Sequence, residues 1–122
     1  MAAGPGYAEG VIVTQVVPHF DSDLPAAAAY RQAMEAKFSS DAPSFVGFEG
    51  YLAAKVFTEA ARRAGKALDT ESLVAALEKM EGYDPGIGTS ISFSASDHQG
   101  LHRVWGTRIG ADGRFQEFTL GR

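Results

Sequence analysis

The stretch from Ser44 to Gly65, SFVGFEGYLAAKVFTEAARRAG, constrains the fold of this chain more than any other segment. Outside one polar stripe, almost every position from Phe48 to Ala64 is apolar or small, so we expect one long helix with neighbours on more than one side. Ser44 is a suitable N-cap, and Gly65 can close the last turn in a left-handed conformation. The polar side chains recur at helical spacing and predict a single narrow stripe: Lys55, Thr58, Glu59 and Arg62.

The composition is that of a single globular domain. The chain has 122 residues, 45% of them hydrophobic, which suits one domain with a modest core. Its net charge of −4 comes without a clustered basic face, so we expect no nucleic-acid partner. It has no cysteine, which excludes disulfides, thiolate catalysis and cysteine-based zinc sites.

The first residues, MAAGPGYAEG, lack the basic and apolar regions of a signal peptide. We therefore expect residues 1–9 to be a flexible lead-in and residues 10–122 to carry the fold. No apolar run reaches the ~20 residues that a membrane-spanning helix needs. A secreted parent protein is still compatible with this pattern, if the chain is a piece of a longer polypeptide.

A strand and a helix are predicted before the long helix. The β-branched run Val11–Val17, ended by Pro18, is typical of a strand covered on both faces. The next helix has Asp23 as a suitable N-cap and Pro25 in its first turn. Its apolar face is formed by residues four apart in sequence: Tyr30, Met34 and Phe38.

The segments after the long helix predict a third helix and then short strands. Asp69 or Thr70 can cap the helix. Its apolar face contains Leu73, Val74, Leu77 and Met80. Strand-like patterns follow at 91–94, 103–109 and 114–118, with an Asp-Gly hairpin turn between the last two. The predicted class is therefore α/β, with one strand, three helices and short C-terminal antiparallel strands.

The C-terminal third holds the residue types of two kinds of catalytic site. His98 and His102 have the spacing of zinc ligands on a helix, with Asp97 as the further ligand, although the surrounding residues predict turn and strand. Ser94, Ser96, Asp97 and His98 are the types found in hydrolases, but the members of a triad come from separate elements. A small metal-dependent enzyme is therefore kept as an alternative, as is a dimeric interaction module.

The start of the long helix is the candidate ligand site. Glu49 lies in the first turn, where the helix dipole alone stabilises a carboxylate. The dipole explanation is the simpler one, and the alternative is that Glu49 is the fixed polar group of a cleft with aromatic walls, which is what a small organic ligand requires. The candidate residues of such a cleft are Phe45, Phe48, Glu49 and Tyr51. Trp105, on a predicted strand, is interpreted as a core residue.

Taken in order, several segments resemble one family. They are GVIVTQVVP, FEGYLAAKVFTEAARRAG, TESLVAALEKM, ISFSASDHQGLHRVW and GADGRF. Together they are similar to the C-terminal part of the branched-chain amino-acid type of periplasmic substrate-binding protein. These are the leucine/isoleucine/valine receptors of ABC transporters, with a type I binding-protein fold. The resemblance runs from about Gly10 to Phe118, and its most specific part is Gly50-Tyr51 at the head of an alanine-rich helix.

The resemblance implies a non-enzymatic solute receptor without a cofactor. Its parent has two lobes that close about a hinge on an amino-acid-like ligand, and it delivers that ligand to an ABC permease from the periplasm. The family also implies that the start of the Ser44–Gly65 helix faces the cleft, which favours Phe45, Phe48 and Glu49 as contacts. The family's N-terminal region, which supplies most of the groups that bind the ligand's head group, is missing here. We therefore expect one wall of a site, and exposed apolar faces that make the fragment self-associate.

Overall fold

The computed structural model describes residues 6–120, so residues 1–5 of the predicted lead-in lie outside the described part of the chain. The elements are β1 (Ile12–Gln15), α1 (Pro25–Lys37), α2 (Phe45–Ala64), α3 (Thr70–Glu78), β2 (Trp105–Ile109) and β3 (Phe115–Phe118). The predicted α/β class and element order are confirmed. The chain divides into two compact units: residues 6–19 with 103–120 hold the strands, and Phe20–His102 holds the helices.

The first unit is a three-stranded antiparallel sheet in the order β1-β2-β3. Thr107 at the centre of β2 is buried, and its hydroxyl donates a hydrogen bond of 2.8 Å to the carbonyl of Val13. The predicted hairpin between β2 and β3 is confirmed. Its turn is closed by Asp112, whose carboxylate accepts the Arg114 amide at 3.0 Å, and by Gly113 with a φ of 76°.

Strand β1 differs from its prediction in length and burial. It covers Ile12–Gln15 instead of Val11–Val17, and it is an edge strand in the described sheet. Val11 and Ile12 are each 48% exposed. The expectation of cover on both faces is therefore wrong for this chain, because a β-branched run reflects a preference for extended backbone whether or not a second layer lies over it.

Helix α1 begins at Pro25 as expected, but its N-cap is Leu24 and not Asp23. Leu24 has an extended backbone and no side-chain cap, because the residue before a proline is pushed out of the helical region. Proline at the first position, which has no amide to satisfy, therefore starts this helix by itself. Tyr30 is buried, whereas Phe38 follows the last turn and is 58% exposed.

Helix α2 has the predicted bounds and both predicted caps. The Ser44 Oγ accepts the Gly47 amide at 3.0 Å, and Gly65 ends the helix with a φ of 85°. Its buried residues are Phe48, Leu52 and Ala60. Val46 and Phe57 remain 79% and 54% exposed, so the helix is not covered on more than one side within the described residues.

Helix α3 and the loop after it complete the second unit. Asp69 is the N-cap, in a capping box with Ser72. The predicted strand at 91–94 does not form. The amide of Ile91 pairs with Tyr83 and that of Phe93 pairs with Met80, so the backbone bonds go to separate partners and only isolated bridges result. No helix in the described residues is long and apolar enough to cross a bilayer.

Candidate functional site

Tyr30 of α1 organises the start of α2. Its ring stacks on Phe48 at a centroid distance of 5.4 Å, and the Tyr51 ring lies 5.7 Å away. Its hydroxyl accepts the backbone amide of Ser44 at 3.2 Å. One buried aromatic side chain therefore fixes both the N-cap of α2 and two rings of its first turns.

The four predicted site residues lie on different sides of the first turns of α2. Phe48 is fully buried and Glu49 is exposed, while Phe45 and Tyr51 are half-buried. The Phe45 ring packs edge-on against Phe20 at 5.0 Å. The described residues thus bring Phe48 and Tyr51 together around Tyr30, with Phe45 and Glu49 outside that stack.

An open groove of about 350 Å³ lies along the polar stripe of α2. It contains the whole predicted stripe, and Tyr51 connects it with the start of the helix. Tyr83 contributes a second aromatic wall. The lining residues are Tyr51, Ala54, Lys55, Thr58, Glu59, Arg62 and Tyr83.

The loop that faces this groove is fixed by Asp84. One of its carboxylate oxygens accepts the amides of Gly86 and Ile87, each at 2.8 Å. This turn holds the buried Pro85 so that its carbonyl accepts a hydrogen bond of 2.8 Å from the Lys55 ammonium group. Lys55 therefore anchors the loop to α2.

Glu59 of the groove binds two arginine side chains. Its carboxylate accepts hydrogen bonds from Arg62 at 2.8 and 2.9 Å and from Arg63 at 2.7 Å. These bonds, that of Arg62 first, lower the pKa of Glu59 from 4.5 to about 2. Burial raises the pKa of Tyr83, whose ring lies 5.7 Å from the Arg63 guanidinium. The groove therefore holds charged side chains, fixed by hydrogen bonds to each other, beside two aromatic rings.

The histidines of the alternative enzyme site bind two different carboxylates. His98 Nε2 lies 3.0 Å from Glu78, and His102 Nε2 lies 3.1 Å from Asp97. The Gln99 amide and then His102 hold the pKa of Asp97 below its usual range. Within residues 6–120, no three histidine or acidic side chains are grouped so that they could hold a metal ion.

The serines of the same segment form hydrogen bonds within a local turn. Ser94 Oγ lies 3.3 Å from Ser96 Oγ and accepts the Asp97 amide at 3.1 Å. Asp97, in turn, accepts the Gln99 amide at 2.9 Å. These hydrogen bonds close a local turn, which is the interpretation that the sequence favoured over a hydrolase triad.

Comparison with known proteins identifies the family. The family model described as "Periplasmic binding protein" matches residues 1–114 of this chain. The chain belongs to the periplasmic binding protein family. A comparison with curated proteins returned no match.

Solved periplasmic binding proteins share the fold. A possible leucine/isoleucine/valine-binding protein from Rhodopirellula baltica is 38% identical over 92% of this chain, with a TM-score of 0.86. A substrate-binding periplasmic protein from Ralstonia solanacearum is 29% identical over 91%, with a TM-score of 0.80. A branched chain amino acid ABC transporter from Thermus thermophilus, with bound valine, is 26% identical over 92%, with a TM-score of 0.76. The chain spans only 30–33% of the length of these proteins.

Sequence reasoning missed the partners that position the candidate residues. Tyr30 is predicted only as part of the apolar face of α1, and no sequence pattern singles out Phe20, yet their rings pack against Phe48 and Phe45. No pattern singles out Tyr83 either, yet it forms a wall of the groove. The cluster of aromatic residues on both sides of the α1–α2 connection was the available signal, but it does not specify which rings meet.

Proposed function

We propose that this chain is the C-terminal segment of a solute receptor that binds an amino acid or a similar small carboxylate. The observation that carries the proposal is its similarity to the Rhodopirellula protein over 92% of its length at a TM-score of 0.86. The bound valine named for the Thermus structure supports the ligand class. In the whole receptor, two lobes close on the ligand about a hinge, and the closed state is selected by an ABC permease. The receptor works outside the cytoplasm.

We place one wall of the ligand cleft at the start of α2. The half-buried ring of Phe45 offers apolar surface, and the exposed Glu49, one turn further along the same side of the helix, offers a carboxylate to the ligand's amino group. Tyr51 lies on the other side of α2, against Tyr30. Phe48, fully buried against Tyr30, acts as the support that holds the two neighbouring turns. The other lobe supplies the remaining groups, so the isolated chain binds the ligand weakly or not at all.

A chimera tests this proposal. Residues 10–118 replace the equivalent segment of the Rhodopirellula protein, and calorimetry measures binding of leucine, valine and phenylalanine. We expect the chimera to bind at least one of them, and Phe45→Ala to weaken that binding at least 10-fold. Phe38→Ala, at an exposed phenylalanine outside the wall, is the matched control and should have little effect. Wild-type affinity in the Phe45→Ala chimera would remove Phe45 from the site, and sub-micromolar binding by the isolated chain would contradict the one-wall arrangement.

We also propose that the isolated chain self-associates. Val46 and Phe57, which are 79% and 54% exposed, leave apolar surface on α2 that a soluble protein usually covers. In the whole receptor, the remaining two-thirds of the protein provides the cover, and in its absence a second copy does. Sedimentation over a range of concentrations tests the idea, and a compact monomer at the highest concentration would contradict it.

A further inference from the structure

The loop residues just before α1 are held by a side chain of that helix. Arg31 is half-buried, and its guanidinium nitrogen Nη1 donates to the carbonyl of Phe20 at 2.6 Å and to that of Ser22 at 3.0 Å. The charge of a guanidinium strengthens such hydrogen bonds, and its planar geometry fixes the directions of its N–H groups. Both carbonyls therefore converge on one nitrogen atom, and the backbone from Phe20 to Ser22 has to curve around it.

The same loop carries a ring that packs against the candidate ligand wall. The rings of Phe20 and Phe45 meet edge-on, with their centroids 5.0 Å apart and their planes at 77°. This is one of the preferred geometries of aromatic pairs, and it contributes energy beyond the area that is buried. Both side chains are half-buried. Each ring therefore restricts the orientation of the other, while part of its surface stays accessible.

Helix α1 holds both sides of this ring pair. The hydroxyl of Tyr30 accepts the amide of Ser44, the residue that precedes Phe45. The next residue of α1, Arg31, holds Phe20 through its carbonyl. Consecutive residues of a helix point about 100° apart, so one turn of α1 reaches both the loop and the start of α2. The Phe45 ring is thus positioned from two sides, and one of them depends on Arg31.

We infer that Arg31 is a positioning residue for the ligand wall, which holds the Phe20 ring against Phe45 and so fixes the surface that Phe45 offers to the ligand. This inference rests on the proposed function, which places Phe45 in the wall, and it adds Phe20 as the second ring. The chemistry of the pair selects an amino acid with an apolar side chain. Because the two rings set the shape of this surface, they discriminate between side chains of different size, such as those of valine and phenylalanine.

The chimera that carries residues 10–118 tests the role of Arg31 by calorimetry with valine, leucine and phenylalanine. We expect Arg31→Ala to weaken binding roughly 2- to 10-fold, the equivalent of one aromatic pair. It should also change the ratio of the valine and phenylalanine affinities, which a general loss of folded protein would not change. Gln32→Ala, which removes a long and exposed polar side chain from the same turn of α1, is the matched control and should keep both the affinity and the ratio. Wild-type affinity and ratio in Arg31→Ala would overturn the inference.

A double-mutant cycle shows whether this effect passes through Phe45. Phe20→Leu keeps the backbone carbonyl that Arg31 binds, but it removes the ring, so it carries the same test if Arg31→Ala does not fold. Phe20→Leu and Arg31→Ala should each weaken binding in the chimera, and much less so in a Phe45→Ala chimera, because the ring that they orient is then absent. Losses of equal size in both backgrounds would overturn the inference.

NMR of the isolated chain tests the ring packing without any ligand. The ring current of Phe20 shifts the ring protons of Phe45, whose resonances are assigned with a Phe45→Leu variant. These resonances should move in Phe20→Leu, move in the same direction in Arg31→Ala, and stay in place in Gln32→Ala. Unchanged Phe45 resonances in Arg31→Ala would overturn the inference, whatever the chimera binds. A chimera that binds none of the three amino acids would overturn the proposed ligand class and the role of Arg31 in binding, even if the NMR shifts occur.

Discussion

Single glycines of α2 show how closely α1 packs against it. A Cβ added to Gly47 would overlap the hydroxyl oxygen of Tyr30, whereas one added to Gly50 would meet no atom within 4 Å. Both glycines lie in the same helix and have ordinary helical backbone. The pair therefore separates the packing requirement at one position from the helix propensity common to both.

We expect opposite effects of alanine at these two positions. Gly47→Ala displaces Tyr30 from Ser44 and Phe48, and should destabilise the protein by about 1–3 kcal/mol, the usual cost of overpacking. Gly50→Ala should stabilise it by about 0.5–1 kcal/mol through helix propensity. Denaturant unfolding of both variants checks this. Equal effects in the two variants would show that the Tyr30 contact does not restrict Gly47.

The acid sensitivity of the fold should depend partly on Glu59. Its pKa falls from 4.5 to about 2 on folding, because Arg62 and Arg63 donate to it. A carboxylate with a lowered pKa stabilises the fold fully above its unfolded value, and the effect is lost as the pH falls through its folded value. The gap in unfolding free energy between wild type and Glu59→Gln should thus be constant above pH 5 and shrink between about pH 4.5 and 2.

Urea unfolding at a series of pH values measures this gap. Because the Arg62 side chain is exposed to solvent, the gap should be small and should decrease with added salt. Glu81→Gln, a charge-matched change at an exposed residue, is the control for the loss of one negative charge. A gap that stays constant from pH 6 to pH 2 would exclude Glu59 as an acid-sensitive group.

At the scale of elements, caps define where the helices begin. The Asp69 carboxylate accepts the Ser72 amide at 2.8 Å, while Ser72 Oγ accepts the Asp69 amide at 3.0 Å. These bonds satisfy otherwise unpaired groups at the start of α3. They also lower the pKa of Asp69, the Ser72 backbone bond first. A helix of nine residues is too short to form without such local support and packing.

Removal of this cap should destabilise α3. We expect Asp69→Ala to cost about 1 kcal/mol in unfolding free energy. Asp69→Asn keeps a side-chain acceptor and should cost less, which makes it the matched control. Denaturant unfolding with circular dichroism provides the measurement. If Asp69→Ala is as stable as the wild type, the capping box does not contribute to the stability of the helix.

At the scale of the whole molecule, the decisive feature is that the chain spans about 30% of the Rhodopirellula protein while keeping the fold of that part. Apolar side chains on α2 remain exposed, although an apolar helix face is normally covered by neighbouring elements. Burial of such apolar surface stabilises a protein or a complex by ~25 cal/mol per Å². The proposed function assigns the cover of this surface to the part of a receptor that the chain does not span.

Complementation in trans checks this expectation. The preceding two-thirds of the Rhodopirellula protein, co-expressed with this chain, should form a 1:1 complex that copurifies. Phe57→Asp on α2 should weaken the complex, whereas Phe38→Asp, an equally exposed position at the end of α1, should leave it intact. Absence of any complex with the wild-type chain would contradict the view that α2 is an internal surface of a larger receptor.

Elements whose ends depend on local physics could be predicted from the amino-acid sequence. Ser44 and Gly65 delimited α2 correctly because caps act on the nearest amides and carbonyls. Asp69, one of two candidate caps, and the Asp112–Gly113 turn follow from the same local physics. The family resemblance came from the order of several sequence segments, with Gly50-Tyr51 as its most specific part. At the start of α1, Pro25 and not Asp23 determined where the helix begins. This is also a local effect, and the Leu24-Pro25 pair in the sequence indicated it.

Which surfaces contact each other could not be predicted from any single segment of the sequence. Periodicity indicated that α2 is apolar around most of its circumference, but it did not indicate that Phe48 is buried while Phe57 is exposed. It could not bring Tyr83 to the groove or Phe20 to Phe45, since these contacts join residues distant in sequence through loops. Burial depends on the atoms that arrive from elsewhere in the chain, and the pattern of one segment does not contain that information.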